Sequence, residues 1–376
     1  MGEKIKVIFF IYELGAGGAA RTIVNIVNHM NRTTFEPIVV TLNYEGSYEK
    51  YVKDDIRIIK LPATRLRSAI KPFSQLIKKE NPKLIFSTIP NYNTIAIIST
   101  VLARTKAKNV VREAAYLGGS FTENLRLRFY GLLYRFVPTV VALSEGVKEN
   151  IVKRYGVPAR KIEVVYNPID IKKIEKLACE NTMPIEHEAI FSNGRKTIVS
   201  AGRLVVEKDQ ETLLRAFTIV NEQIPSDLFL LGKGPLKDKL IALAKDLNIE
   251  KHVHFIGFQT NPYQYFKRAD VFALSSTTEG FGHVLVEALA TETIVVSTDC
   301  KPGSIEVLQD GKYGFVSPVG DKRKLADNII TALSLSKEDK EKRILAGKER
   351  ANYFSAETIV KHYEQVFRKT IGVDET

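Results

Sequence analysis

The feature that most constrains this chain is an alternation of short β-branched or aliphatic runs with longer amphipathic stretches. Seven such runs fill the first half, at residues 6–12, 38–42, 56–61, 84–89, 110–112, 140–144 and 162–166. Runs this short and apolar, spaced by helix-length segments, read as strands of a parallel sheet covered by helices. After a polar interval from Asn181 to Arg195 the pattern restarts, with runs at 197–201, 228–231, 253–258, 271–275, 294–298 and 314–318. The expected fold is therefore α/β, with two tandem Rossmann-like, doubly wound domains. Open parallel sheets bind ligands beyond the carboxyl ends of their strands, so the two rims are expected to face each other across a cleft.

The first domain is expected over residues 1–170. It ends at Asn167-Pro168-Ile169-Asp170, where proline stops a ladder and turn-prone residues follow. The second is expected over 171–355. Residues 356–376 place Ile359, Val360, Tyr363, Val366 and Phe367 at helical spacing, a closing helix with the first domain as its candidate partner.

A chain of 376 residues that is 44% hydrophobic can bury two cores. No apolar run approaches the roughly 20 residues that span a bilayer. Cys179 and Cys300 are far apart and outside any Cys/His cluster, which suggests neither a disulfide framework nor a zinc site and fits the cytoplasm. Charge is uneven. Residues 1–170 hold 26 Lys+Arg against 14 Asp+Glu, and the remainder holds 29 of each, so the whole net charge of +12 lies in the first half. Such a half suits a membrane surface, a polyanionic acceptor or nucleic acid, or is a solvated basic face. Its aromatics are not interleaved with cations in a nucleic-acid module, which argues against nucleic acid.

Four segments carry candidate chemistry. Glu13-Leu14-Gly15-Ala16-Gly17-Gly18-Ala19-Ala20-Arg21 follows the first strand and opens an apolar-periodic helix. Gly17 and Gly18 there would let a phosphate or sugar reach the backbone at a helix start, or would simply make a tight turn. Ala201-Gly202-Arg203 through Glu207-Lys208 puts two cations at a strand's carboxyl end, where Arg203 offers a planar fork and Lys208 a point charge to a diphosphate. Leu231-Gly232-Lys233-Gly234-Pro235 is a further glycine turn. The richest stretch runs from Ser275 to Ala290. With a helix starting near Gly282, its free amides would meet a phosphate, Glu279 would sit on the preceding loop, and Glu287 would lie about one and a half turns inside. Carboxylates grip vicinal diols well, so the two acids suit a ribose and a sugar. The bland alternative makes them a helix-end charge and a partner for a buried arginine.

Together these residues resemble glycosyltransferase family 4, retaining enzymes of the GT-B fold, in the branch that builds polysaccharides and lipid-linked oligosaccharides. Glu279 and Glu287 match its Glu-x7-Glu signature. The match continues through the Gly15 to Arg21 loop, Ser144-Glu145-Gly146, Asn167 to Asp170, Gly202-Arg203 with Glu207-Lys208, and Gly232 to Leu236. The resemblance implies a UDP-linked donor, with Gly17, Gly18 and Gly234 near it and Arg203 and Lys208 on its diphosphate. It further implies Glu279 with the Phe281-Gly282 amides on sugar and phosphate, and Glu287 on the ribose. Glu279, Arg203 and Lys208 are the catalytic candidates, and neither metal nor cofactor is required. Two departures stand out. The only histidine before residue 170 is His29, far along the first helix, so the family's first-domain histidine has no counterpart. Lys301-Pro302-Gly303-Ser304-Ile305-Glu306 is a variant of the family's Pro-Ser-Gly-Pro-x-Glu segment. Asn91, Arg112 and Glu113, at strand ends, are the acceptor-side candidates.

The implied reaction moves a hexose or N-acetylhexosamine to a glycan or lipid-linked acceptor in cell-envelope synthesis. Rival readings are a GT-B epimerase or phosphorylase, or a catalytically silent GT-B binding module. Residues 125–136 are basic, aromatic and amphipathic, and 65–83 add six cations. Peripheral attachment to an anionic inner membrane face is expected, with core packing an equal explanation of 125–136.

Overall fold

The computed structural model describes residues 4–15, 17–180 and 182–373. Ala16 of the glycine loop, Asn181 of the polar interval, and residues 1–3 and 374–376 of the expected terminal segments lie outside the described residues. Every expected run forms a strand. The first seven are β1 (Ile5–Phe10), β2 (Phe35–Leu42), β3 (Arg57–Leu61), β4 (Leu84–Thr88), β5 (Lys108–Glu113), β6 (Thr139–Ala142) and β7 (Ile162–Val164). They make one parallel sheet in the order β3-β2-β1-β4-β5-β6-β7. The next six are β8 (Lys196–Ala201), β9 (Ser226–Leu231), β10 (Val253–Gly257), β11 (Val271–Leu274), β12 (Ile294–Thr298) and β13 (Phe315–Ser317). They make a second parallel sheet in the order β10-β9-β8-β11-β12-β13. The chain divides into two compact units, Met1–Pro168 with Ala356–Thr376, and Ile169–Ser355.

The strands read as unbroken apolar runs because both sheet faces are covered. Along β1, Val7 and Phe9 enter one core with Ile23 and Val27 of the helix Gly18–His29, while Ile8 and Phe10 enter another with Phe73, Ile77 and Ala96. Phe10 stacks on Phe73 at 4.4 Å between centroids. The helix Ala356–Ile371 belongs to the first unit, where Ile359, Val360, Tyr363 and Phe367 are buried against β1 and β4 residues such as Phe9 and Phe86. Full burial of such side chains stabilises by about 1.5–3 kcal/mol each, which explains how the segment is held.

The Asn167 to Asp170 motif is structural in every residue that bonds. Thr22 Oγ1 donates to Asn167 Oδ1 at 3.0 Å, and the Arg112 guanidinium donates to the same oxygen. Asn25 Nδ2 donates to the Pro168 carbonyl at 2.8 Å, and Asp170 accepts the Lys173 amide at 3.1 Å to cap the helix Ile171–Ala178. In each sheet the strand order reverses beside the first strand, between β1 and β4 and between β8 and β11. Loops at such reversals are where open α/β sheets take ligands, and they carry most of the candidate residues. Among the described residues no helix is long and apolar enough to cross a membrane.

Candidate functional site

In the second unit, two loops at the β8/β11 reversal are stitched together. The loop after β8 passes through Gly202 and Arg203 to a short helical turn, Val206–Lys208, and Asp209 then caps the helix Gln210–Gln223. The loop after β11 runs from Ser275 to Gly282. Ser275 Oγ donates to the Lys208 carbonyl at 3.0 Å, and the Thr277 amide to the Glu207 carbonyl at 2.9 Å. At their junction the Lys208 ammonium forms an ion pair with Glu279, whose Oε1 also accepts Ser276 Oγ at 2.8 Å. Both charged side chains are mostly buried, so water screens this pair far less than a surface pair. The loop after β12 supports Glu279 from behind, through the Gly303 amide donating to the Glu279 carbonyl at 2.9 Å.

Gly282, at φ 84°, is the N-cap of the helix His283–Ala290 and supplies no side-chain cap, which leaves this helix start suited to an anion. Phe281 is buried, its ring edge-on to Phe354 at 5.1 Å, so the side chain anchors the loop. Glu287 lies on the same helix and is buried. Arg203 is exposed, and its carbonyl accepts Gln210 Nε2 at 3.0 Å, which holds the loop but leaves the guanidinium on the surface. The arrangement thus gathers Arg203, Lys208, Glu279 and one helix N-terminus at a single sheet reversal, a set that can neutralise a diphosphate and grip hydroxyls.

Two glycines with similar sequence contexts have different reasons. A Cβ at Gly234 would lie 2.2 Å from the Leu204 carbonyl oxygen, and one at Gly232 would lie 1.8 Å from that of Gly202. Gly234 therefore has a packing reason of its own, the close approach that supports the Arg203 loop. Gly17 has none. Its φ of −136° is open to any residue, and a Cβ there would meet nothing within 4 Å. Gly17 and Gly18 are exposed at the start of the helix Gly18–His29, beside a cavity of about 240 Å³ in the first unit lined by Glu13, Gly15, Ile89 and Tyr92 among others. At Gly17 a missing side chain that the fold does not need favours ligand approach over a mere tight turn.

The acceptor-side candidates need correction. Arg112 and Glu113 end β5 but are each 1% exposed, turned into the protein rather than toward ligand. Arg112 donates to Tyr363 Oη and Thr88 Oγ1, both at 3.1 Å, and to Asn167. Glu113 accepts Asn93 Nδ2 at 2.9 Å, the Tyr134 hydroxyl, and the Tyr155 hydroxyl at 3.4 Å. Burial pushes the Glu113 carboxyl up to about 7, against the lowering effect of those bonds and of Arg112. Asn91 is not at a strand end, because β4 stops at Thr88 and Pro90 starts the helix Pro90–Ala103. Asn91 is exposed in its first turn and accepts the Tyr130 hydroxyl at 2.6 Å.

Sequence reasoning missed three features. Ser276 buttresses Glu279, and its place beside Ser275 in a strand-end pair was the available signal. Tyr12 stacks between Tyr44 and Tyr92, at 5.0 and 6.1 Å, near the Gly17 cavity. Ile89 sits in that cavity's wall at φ 77°, a strained conformation for a β-branched residue of the kind that gathers at functional sites. No sequence pattern announces it.

Comparison with known proteins decides the family. Residues 16–173 match the family model Glycosyltransferase Family 4, and residues 184–350 match Glycosyl transferases group 1. A Campylobacter jejuni protein, N-acetylgalactosamine-N,N'-diacetylbacillosaminyl-diphospho-undecaprenol 4-alpha-N-acetylgalactosaminyltransferase, is 30% identical over 348 residues, 87% of this chain and 90% of the relative. The chain is a family 4 glycosyltransferase. Its GT-B fold is shared with a Rickettsia africae glycosyltransferase, at a TM-score of 0.83 and 17% identity over 98% of this chain and 99% of the other. It is shared too with Anabaena HepE, solved with UDP and glucose, at 0.79 and 21% over 96% of this chain and 99% of that one. As a family 4 glycosyltransferase the protein is a transferase, and the rival epimerase and silent-module readings fall away.

Proposed function

We propose that this glycosyltransferase is retaining and metal-independent, and moves a hexose or N-acetylhexosamine from a UDP-sugar to a lipid-linked or glycan acceptor. The reaction serves cell-envelope polysaccharide synthesis at the cytoplasmic face of the membrane. The observation that carries the reading is the Lys208–Glu279 pair, buttressed by Ser276 and followed by a helix start at Gly282 that has no side-chain cap. Lys208 exchanges Glu279 for the diphosphate as donor binds. With Arg203 and the helix amides it then stabilises the charge that grows on the departing group, in the role a divalent ion would otherwise take. Glu279, released, accepts hydroxyls of the sugar, and Glu287 those of the ribose. The departing diphosphate receives the acceptor's proton on the face it leaves, so the new bond keeps the anomeric configuration.

The relatives support both substrates. The Campylobacter relative is named for a diphospho-undecaprenol acceptor, and HepE was solved with UDP and glucose. The test is a panel of UDP-, GDP- and ADP-sugars, assayed for nucleotide release with and without a chelator. One UDP-sugar is expected to turn over in chelator, with Glu279→Ala folded and slower by about 10²–10³-fold. Full activity of that variant, or dependence on an added divalent ion, would overturn the assignment.

A further inference from the structure

The segment from Phe121 to Phe136 has two apolar faces, and only one of them is inside the protein. At about 100° per residue, Leu127, Gly131 and Tyr134 share one side of the helix Phe121–Tyr134 and are buried. Phe121, Leu125, Phe129, Leu132 and, just past the helix end, Phe136 fall within about 80° of arc on the opposite side. These five are between 53% and 83% exposed. Scattered exposed hydrophobics are ordinary, but five large ones in one stripe are not. The helix is held in place by a capping box, in which Ser120 and Glu123 exchange side-chain and backbone bonds. It packs between the helix Pro90–Ala103 and the turn Ile151–Tyr155, which add exposed Val101, Leu102 and Val152.

Charge identifies what covers the stripe. Across residues 104–136 the exposed cations are Arg104, Lys106, Lys108, Arg126, Arg128 and Arg135, and the one exposed acid, Glu123, is engaged in the cap. We propose that this face docks the protein on an anionic phospholipid bilayer, the helix lying in the interface with its Phe and Leu side chains inserted and its arginines at the headgroup phosphates. A second copy of the chain fits poorly, since a self-complementary contact would bring like-charged arginines together. Ser120 follows the carboxyl end of β5, the sheet rim that carries the Gly17 loop, whereas Arg104, Lys108 and Phe136 lie at the amino ends of β5 and β6, so the docking face runs along the helix from one rim to the other. The inference rests on the proposed lipid-linked acceptor for its purpose, whereas the docking is read from the helix and the exposed apolar and cationic side chains beside it.

The test is flotation of the full chain with vesicles of phosphatidylglycerol and phosphatidylethanolamine, and with phosphatidylcholine alone, at low and high salt. Binding is expected to the anionic vesicles and to fall with salt. Leu125→Gln/Phe129→Gln should lower it at least tenfold, on the order of two buried side chains. Arg126→Gln/Arg128→Gln/Arg135→Gln should lower anionic binding by roughly 100-fold, from about 1 kcal/mol per cation. Both variants should release nucleotide from the donor at the wild-type rate, which separates docking from the transfer reaction. Failure of the wild type to float with anionic vesicles at low salt, or wild-type binding by both variants, would overturn the proposal. So would a wild-type dimer in light scattering that Leu125→Gln/Phe129→Gln makes monomeric, which would give the stripe to a second copy.

Discussion

Arg112→Met separates a buried strut from a ligand contact. The guanidinium is 1% exposed and donates to Tyr363, Thr88 and Asn167, tying β5 to the closing helix, to β4 and to the Asn167 turn. Methionine keeps most of the volume but leaves the Tyr363 and Thr88 hydroxyls without that donor, at about 1–3 kcal/mol each. Asn167 keeps the Thr22 hydroxyl, and removing the charge relieves part of the guanidinium's own desolvation. The balance is a loss of about 2–4 kcal/mol. At about 2–4 °C per kcal/mol for a unit of this size, the first unit's transition should fall by roughly 5–15 °C. Calorimetry of the full chain reads that shift, and transfer kinetics well below it should give kcat/KM within about twofold of wild type. An unchanged transition with a raised KM for acceptor would refute the strut and return Arg112 to the substrate.

Lys208→Ala and Glu279→Ala should each lower the rate of donor turnover by about 10²–10³-fold, and the double variant by much less than the product, because the two side chains act as one pair. Additive losses in the release assay would contradict the pairing. Gly17→Ala should melt with the wild type yet lose activity, whereas Gly234→Ala should melt early because of the Leu204 carbonyl; the opposite pattern would reverse the two roles. Glu113 titrates near 7 when folded against 4.5 for the free group, so the native state holds a proton that the unfolded chain has lost. Its contribution is full below about 4.5 and is lost as pH rises through 7, about 3 kcal/mol in all. Denaturant melts of Glu113→Gln should lack that slope, and an unchanged pH dependence would show that Glu113 is not its source.

The parts legible in the sequence are those where one local pattern has one physical cause. Strands covered on both faces are apolar at most positions, and Val7 to Phe10 of β1 and Ile294 to Val296 of β12 could hardly be read otherwise. The loop-to-helix stretch around Glu279 and Glu287 was legible because phosphate binding needs glycines, a helix start and acids within one short segment. The misread positions depend on residues distant in the chain. Whether a strand's last residue faces ligand or core is decided by what covers it. For Glu113 the cover comes from Asn93, Tyr134 and Tyr155, three separate segments. Gly17 and Gly234 differ only in whether a carbonyl of another loop lies within reach of a Cβ.

The helix Phe121–Tyr134 extends this reasoning from single residues to a surface. Its apolar positions number enough for two faces, and periodicity alone does not say which face the sheet consumes. Gly131 decides it, because a Cβ there would lie 1.8 Å from the Tyr155 carbonyl oxygen, so the helix can meet the Ile151–Tyr155 turn only on the Gly131 side. Once Leu127, Gly131 and Tyr134 are turned inward, Leu125, Phe129 and Leu132 are turned out. Tyr134, on that same inward side, is bonded to Glu113, so the polar network that replaces the expected acceptor site helps to hold the stripe outward. Changes to Glu113 should therefore move vesicle binding as well as stability, whereas changes to the stripe should leave stability alone.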